Sequence, residues 1–403
     1  MTQKKQMTNP LGTDRISTLV ARFAVPSIIA TLVSAVYNIA DQLFIGNAVG
    51  TLGNAATNIA FPLSMLCASL ALLFGIGGAS SFNLRMGAGR KEEAPYYIGN
   101  SITMLLSLGF LLLLITELFL NPLLVLFGSP ADVLPLAEQY VRVTAVGFPF
   151  LILTIGSGHL IRADGNPKMA MFVTVSGAVI NIVLDALFVF GFQWGMYGAA
   201  WATVIGQIIS AAIAIRYFMH YHTVTLEKQH FIPSGKVLAQ ICSIGMSSGI
   251  NQIAVMIVQI VMNNLLKHYG AQSVYGESIP IACAGIVMKV NQLYFSIVIG
   301  LAQGSQPIES FNYGAKQYKR VTDAFLLAAS VGAVVSIISF LLFQLFPRQI
   351  LFLLPLIVAL PHFFGIMGVL YAGPIADLLS FAVGISMVIV EFKHINKLEA
   401  ELA

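Results

Sequence analysis

Residues 97–119 have the sequence YIGNSITMLLSLGFLLLLITELF, in which the one charged side chain, Glu117, lies close to the end. A helix of about 20 residues rises roughly 30 Å, which is the thickness of the hydrocarbon core of a bilayer. Strands of a membrane barrel would instead show short segments of alternating polarity. The run therefore predicts a membrane-spanning helix.

Similar runs recur along the chain, and the composition agrees with them. Of the 403 residues, 57% are hydrophobic and 9% are charged, whereas soluble domains carry about 25% charged residues. The sequence predicts an all-α polytopic membrane protein. The expected spans lie near 23–46, 55–81, 97–119, 137–162, 168–190, 196–218, 241–266, 277–303, 322–346, 349–364 and 366–390.

Basic residues are concentrated in every second connection between these spans, starting at the N-terminus. The connections at the opposite end carry only Lys267 and Arg348. The positive-inside rule therefore predicts a cytoplasmic N-terminus in the cell membrane, and we call this end of the bundle the basic end. Its connections contain Arg85, Arg90, Lys91, Arg162, Lys168, Arg216, Lys228, Lys236, Lys316, Lys319 and Arg320.

Several functional classes find no support in the residues. The net charge of +4 is small, so nucleic-acid binding is not expected. Cys67, Cys242 and Cys283 are far apart and the seven histidines are scattered, which favours neither a disulfide nor a metal site. We find no Walker-type loop and no enzyme domain. The chain is not expected to be an enzyme or to need a cofactor.

An internal repeat indicates two lobes. Gly87-Ala88 and Gly314-Ala315 each precede basic residues after a second span of their half, and residues 195–202 (GMYGAAWA) match residues 365–372 (GIMGVLYA). Parallel repeats in transporters place a substrate cavity between the halves. The expected organisation is an N-terminal lobe at 1–222, a cytoplasmic linker at 223–239 and a C-terminal lobe at 240–403.

The second repeat is shorter than the first. About 75 residues separate the third span from Gly195, but only about 18 separate Pro347 from Gly365. About 55 residues, enough for one helix and its loops, are thus missing around the tenth helix, leaving about 11 spans instead of 12. Either 349–364 runs inward as a short span, or the last helix is inverted and places Lys393 and Lys397 outside.

Three motifs resemble those of one transporter family. They are residues 304–315 (GSQPIESFNYGA), residues 37–41 (YNIAD) and residues 161–167 (IRADGNP). In this order and spacing they resemble the MATE (multidrug and toxic compound extrusion) family, and most closely its MepA-like bacterial branch. The resemblance implies twelve helices in two lobes and antiport driven by protons or sodium ions, and it covers nearly the whole chain except the tenth helix.

Two acids inside the spans are the strongest candidates for coupling. Asp41 and Asp185 lie about five residues from the end of their spans that is opposite the basic end. Thr203 lies at a similar depth. Tyr37 and Asn181 each precede one acid by four residues and so share its helix face. We expect these five side chains to converge on one pocket.

Two carboxylates in such a pocket cannot both stay ionised cheaply, so they should hold a proton or a cation. The resemblance implies a cation site at Asp41, Asn181, Asp185 and Thr203. In the second half the positions equivalent to the two acids fall near Val261 and Pro355, which cannot ionise. The alternative is that the acids only hydrogen-bond neighbouring helices.

Polar residues of the second half are candidates for a drug-binding cavity, with hydrogen bonding between helices as the alternative. Lys289 could pair with Asp377 across this cavity, or the two could serve a structural or snorkelling role. The other candidates are Asn251, Gln252, Gln259, Asn291 and Gln292.

These observations favour multidrug efflux of hydrophobic, cationic small molecules by a monomer in the lipid bilayer. Two alternatives stay open. A lipid-linked-substrate flippase of the same superfamily would need a strongly cationic cavity, and the intramembrane basic residues are few. A non-transporting deletion remnant of an exporter would explain the shortened second half.

Overall fold

The structure is a computed structural model that describes residues 9–273, 276 and 278–345. Its regular elements are all helical in these ranges. A π-helix at Ala186–Gly191 and a 3-10 turn at Lys228–Phe231 accompany the α-helices. These are α1 (Pro10–Thr13), α2 (Ile16–Ala48), α3 (Thr51–Gly87), α4 (Ala94–Leu118), α5 (Leu120–Leu126), α6 (Leu134–Val146), α7 (Phe148–Ala163), α8 (Pro167–Asp185), α9 (Gly195–Phe218), α10 (Gly235–Ala271), α11 (Ser278–Gly314) and α12 (Tyr318–Leu345).

The predicted fold class is confirmed. Seven of the described helices are long and apolar enough to cross a membrane, and the bent pair α6 and α7 makes an eighth. The expected spans at 349–364 and 366–390 lie outside the described residues. So does the predicted interruption between Pro347 and Gly365.

The fourth predicted span is broken in two. Helices α6 and α7 meet at an angle of 58°, and Gly147 separates them. Pro149 lies in the first turn of α7, where its missing N–H costs nothing. The proline therefore starts a new helix at this point.

Several helices extend beyond the predicted spans, and two of these extensions contain the repeat motifs. The second and eighth spans were expected to end near 81 and 303, but α3 and α11 continue to Gly87 and Gly314. The motif at 304–315, expected to follow a helix, therefore lies almost wholly within one. Small and polar residues are typical of loops in water, but here they stay helical because the helix faces another helix.

These glycines bring the two repeats together. A Cβ added to Gly314 would lie 2.8 Å from Leu84 Cα, and one added to Gly87 would lie 2.8 Å from Ala315 N. Only glycine allows α3 and α11 this close approach. The repeat-related motifs thus pack directly against each other.

Following the predicted repeat, we call helices α1–α9 the N-terminal lobe and α10–α12 the described part of the C-terminal lobe. The lobes meet where α3 packs on α10 and α11, and where α2 packs on α11. Polar bonds cross this interface: Thr31 Oγ1 donates to Ser296 O at 2.6 Å, and Ser69 Oγ donates to Gly249 O at 2.9 Å.

Candidate functional site: a buried carboxyl pair

The carboxyl groups of Asp41 and Asp185 lie side by side in the N-terminal lobe. Asp41 on α2 is 7% exposed and Asp185 on α8 is fully buried. The two carboxyl groups are close enough to interact electrostatically. Two carboxylates this close inside a membrane repel each other, which favours binding of a proton or a cation by the pair.

Asn181 and Thr203 complete one side of the site. With its amide oriented by the hydrogen-bond network, Asn181 Nδ2 donates to Asp185 Oδ2 at 3.1 Å. Its Oδ1 accepts from Thr203 N at 3.1 Å and from Thr203 Oγ1 at 3.3 Å. The amide thereby joins α8 to α9 and holds the Asp185 carboxyl group in one orientation.

Two tyrosines lie on the other side. Tyr37, four residues before Asp41 on α2, is close enough to both carboxyl groups to interact with them electrostatically. Tyr140 on α6 is also close enough to both acids to interact with them electrostatically. The five predicted site residues thus come together, and Tyr140 joins them as a sixth.

Tyr140 was missed by the sequence analysis. It lies near the start of the span predicted at 137–162, at a depth similar to that of Asp41. The same depth comparison could have found it, but tyrosines near helix ends are commonly interface anchors.

The backbone changes its winding at this site. Helix α8 ends at Asp185, and the next six residues, Ala186–Gly191, form a π-helix. Such turns are rare and occur often at functional sites. The π-helix also places Phe190 in edge contact with Phe44 of α2, with ring centroids 5.5 Å apart. The rings lie about one turn beyond the two acids along their helices.

The chemistry of the site suits a proton or a monovalent cation. It offers two carboxyl groups, an amide oxygen and hydroxyl groups, all of them oxygen ligands. Among the described residues, no group of three or more His, Cys, Asp or Glu side chains could hold a metal ion. Proton binding needs only the carboxyl pair itself.

The predicted cavity residues of the second half differ in exposure. Asn251 and Asn291 are exposed, while Gln252 and Gln292 are half-buried. Gln259 is buried and donates to Asn263 Oδ1 at 3.1 Å, four residues along the same helix. The side chain of Lys289 and the whole of Asp377 lie outside the described part. Val261, the equivalent of Asp41, is exposed on α10.

A second buried polar group lies nearer the basic end, between the lobes. His159 Nδ1 of α7 lies 3.2 Å from Gln306 Oε1 of α11, and Gln306 Nε2 donates to Ser80 Oγ at 2.9 Å. One turn from His159, Arg162 is only 5% exposed. The sequence analysis set the scattered histidines aside and did not find this contact.

Comparison with known proteins decides the family. The MatE family model matches residues 26–187 and 248–360 of this chain. The first match includes both acids of the carboxyl pair. The chain belongs to the MATE family. The second match extends past Pro347, into the region where the second repeat of this MATE chain is shorter than the first.

Individual relatives agree. Multidrug export protein MepA of Staphylococcus aureus (strain MSSA476) is 28% identical over 320 residues, which is 79% of this chain and 69% of that protein. MepA of Staphylococcus saprophyticus is 27% identical over 292 residues, or 72% of this chain and 63% of that protein. The solved MATE multidrug transporter DinF-BH is 31% identical, with a TM-score of 0.84. The match covers 96% of this chain and 98% of that one.

Proposed function

We propose that this MATE chain exports hydrophobic, cationic small molecules across the bacterial cell membrane by antiport against protons or sodium ions. The observation that carries the proposal is the buried pair of interacting carboxyl groups of Asp41 and Asp185. An isolated ionised carboxylate inside a membrane is costly, and such residues mark ion pathways. The related MepA proteins are named multidrug export proteins, which supports drugs as the substrate class.

In this scheme the carboxyl pair is the coupling site. Binding of a proton or cation from outside removes the repulsion between the two acids and changes the packing of α2 against α8. Because α2 also packs on α11, a movement of α2 reaches the C-terminal lobe. The ion thus favours one of two lobe arrangements, and the drug leaves from between the lobes.

The scheme assumes the predicted organisation. The N-terminus is cytoplasmic, residues 1–222 and 240–403 form the moving lobes, and 223–239 connect them. The chain works as a monomer. Tyr37, Asn181, Thr203 and Tyr140 position the acids, and the polar residues of α10 and α11 face the drug.

The test is transport of ethidium, a fluorescent hydrophobic cation, by the purified chain in vesicles with an imposed proton or sodium gradient. We expect Asp185→Asn to lower the gradient-driven rate at least about tenfold, because an amide cannot exchange a proton or neutralise a cation. The matched control is Asp323→Asn, an exposed acid on α12, which should transport like wild type. Undiminished transport by Asp185→Asn would refute the coupling scheme.

A non-transporting remnant is the second candidate, favoured by the short second repeat. A switch from 1:99 to 99:1 between two states needs about 5.5 kcal/mol of differential binding, and a lobe that lacks a helix is less able to hold two defined states. The same vesicles distinguish the candidates. A remnant binds ethidium but shows no gradient-driven export in the wild-type chain.

A further inference from the structure

A cavity of about 330 Å³ lies at the basic end, away from the carboxyl pair. Its walls come from α1, α2, the α3–α4 connection, the α7–α8 turn, the segment after α9, and α11. Its lining includes Leu11, Arg22, Lys91, Asp164, Thr223 and Phe311.

Two cations line this cavity, Arg22 and Lys91. Arg22 belongs to the first turns of α2, and Lys91 to the connection before α4. The ion pairs found within the described residues join Arg85 and Arg90 to Glu93 and include neither Arg22 nor Lys91. Both therefore have their charge available to a ligand.

The one acid in the lining, Asp164, already accepts hydrogen bonds from other residues. Asp164 Oδ2 accepts from Tyr217 OH at 2.6 Å and from His222 N at 2.9 Å, and its Oδ1 accepts from Thr223 N at 2.8 Å. These bonds fix the carboxylate on the segment after α9. Among the described residues Asp164 forms no ion pair with Arg22 or Lys91, so the lining carries two positive charges and one negative charge.

Both lobes contribute walls. Helix α1 belongs to the predicted N-terminal lobe, yet the carbonyl of Leu11 accepts from Asn312 Nδ2 at 2.9 Å and from Arg320 Nη2 at 3.2 Å. Phe311, next to Asn312, reaches the same cavity from α11. A ligand held between Arg22, Lys91 and this wall therefore contacts both lobes.

We propose that this cavity binds the phosphate group of an anion at the basic end and that its occupation stabilises the lobe arrangement of this structure. Two cations from different elements in a concave site suit a phosphate better than a single charge on a flat surface would. The phosphate comes from an anionic phospholipid head group or from free phosphate. Basic pockets between helices on the cytoplasmic side suit the former.

The experiment measures thermal unfolding of the full chain in nanodiscs. The lipid is phosphatidylcholine alone, phosphatidylcholine with a minority of phosphatidylglycerol, or phosphatidylcholine with millimolar inorganic phosphate. We expect the anion to raise the Tm of wild type by about 2 °C or more, because a ligand that binds only the folded state stabilises it. The Arg22→Gln/Lys91→Gln variant should lose this rise.

The control variant is Lys168→Gln/Lys319→Gln, which removes the same charge from two exposed lysines outside the lining. It should keep the full rise. If the double variant at the cavity does not fold, Lys91→Gln alone, in an exposed connection, should reduce the rise.

The outcomes separate the two sources. A rise with phosphatidylglycerol and none with inorganic phosphate identifies a lipid head group, and the reverse identifies free phosphate. A wild type that responds to neither anion overturns the proposal. The proposal is also overturned if the Arg22→Gln/Lys91→Gln variant shows the same rise in Tm as wild type. The same holds if the control variant loses as much of this rise as the cavity variant does.

Discussion

At the scale of single residues, Thr203 is the connection between the helices of the carboxyl site. Its backbone N–H and hydroxyl both bond to Asn181 on α8. Asn181 in turn bonds to Asp185. A change at Thr203 therefore reaches the acid without touching it.

We expect Thr203→Val to destabilise the protein by about 1 kcal/mol, because it leaves the partners of the hydroxyl unsatisfied in a membrane. It should also slow ethidium transport. Thermal unfolding in detergent and the vesicle assay measure the two effects. The control is Thr174→Val, whose hydroxyl bonds within α8, to Ala170 O at 3.3 Å. Equal behaviour of the two variants would contradict this role.

The residues of the site were predictable to different degrees. Asp41 and Asp185 stand out because intramembrane acids are rare, and a spacing of four residues adds Tyr37 and Asn181. The close approach of the two acids and the orientation of the Asn181 amide depend on how α2, α8 and α9 pack. No local sequence pattern contains that information.

At the scale of elements, the approach of α3 to α11 depends on glycine. We expect Gly314→Ala to cost about 1–3 kcal/mol, since the new methyl group would meet the backbone of Leu84. In an open helix the same change stabilises by about 0.5–1 kcal/mol. Gly235→Ala is the control because no atom lies within 4 Å of its Cβ position. The measurement is thermal unfolding, and a Gly314→Ala variant as stable as wild type would argue against this packing.

The segment after α9 is fastened to α4 by a buried amide. Asn100 Nδ2 donates to His230 O at 2.9 Å and to Ile232 O at 3.1 Å, and Asn100 Oδ1 accepts from Ser234 N at 2.8 Å. The segment predicted as a linker is thus largely attached to the N-terminal lobe. It leaves little free chain before α10 begins at Gly235.

We expect Asn100→Ala to release this segment and to speed trypsin cleavage at Lys228 about tenfold, because cleavage requires local opening. Limited proteolysis followed by mass spectrometry locates the cut. Ser107→Ala is the control on the same helix, since Ser107 Oγ bonds to Thr103 O within α4. Unchanged cleavage in Asn100→Ala would show that other contacts hold the segment.

The spans were predictable because length and apolarity are local properties of the chain. The break at Gly147 also has a local signal, since Pro149 follows it. The π-helix after Asp185 was not predictable, since it depends on which backbone bonds the neighbouring helices permit. The ends at Gly87 and Gly314 were predicted wrongly. Their small and polar residues resemble a loop until the facing helix is known.

At the scale of the whole molecule, the distribution of basic residues sets the orientation. We predict that Thr225→Cys reacts with an impermeant maleimide only in permeabilised cells, whereas Gln272→Cys reacts in intact cells. Cys67, Cys242 and Cys283 are replaced by Ala in both. The two positions are exposed at opposite ends of the described bundle. Labelling in the reverse pattern would place the N-terminus outside.

The bonds of α1 to the C-terminal lobe have a practical consequence. To separate the lobes at the basic end, the chain must pull its own first turn away from Asn312 and Arg320, whereas separation at the opposite end leaves that turn in place. The contacts of α1 therefore oppose separation of the lobes at the basic end but not at the opposite end. A bulky tag fused before α1 is expected to weaken these contacts and to favour the arrangement that is open at the basic end. The position of the tag thus becomes an experimental variable.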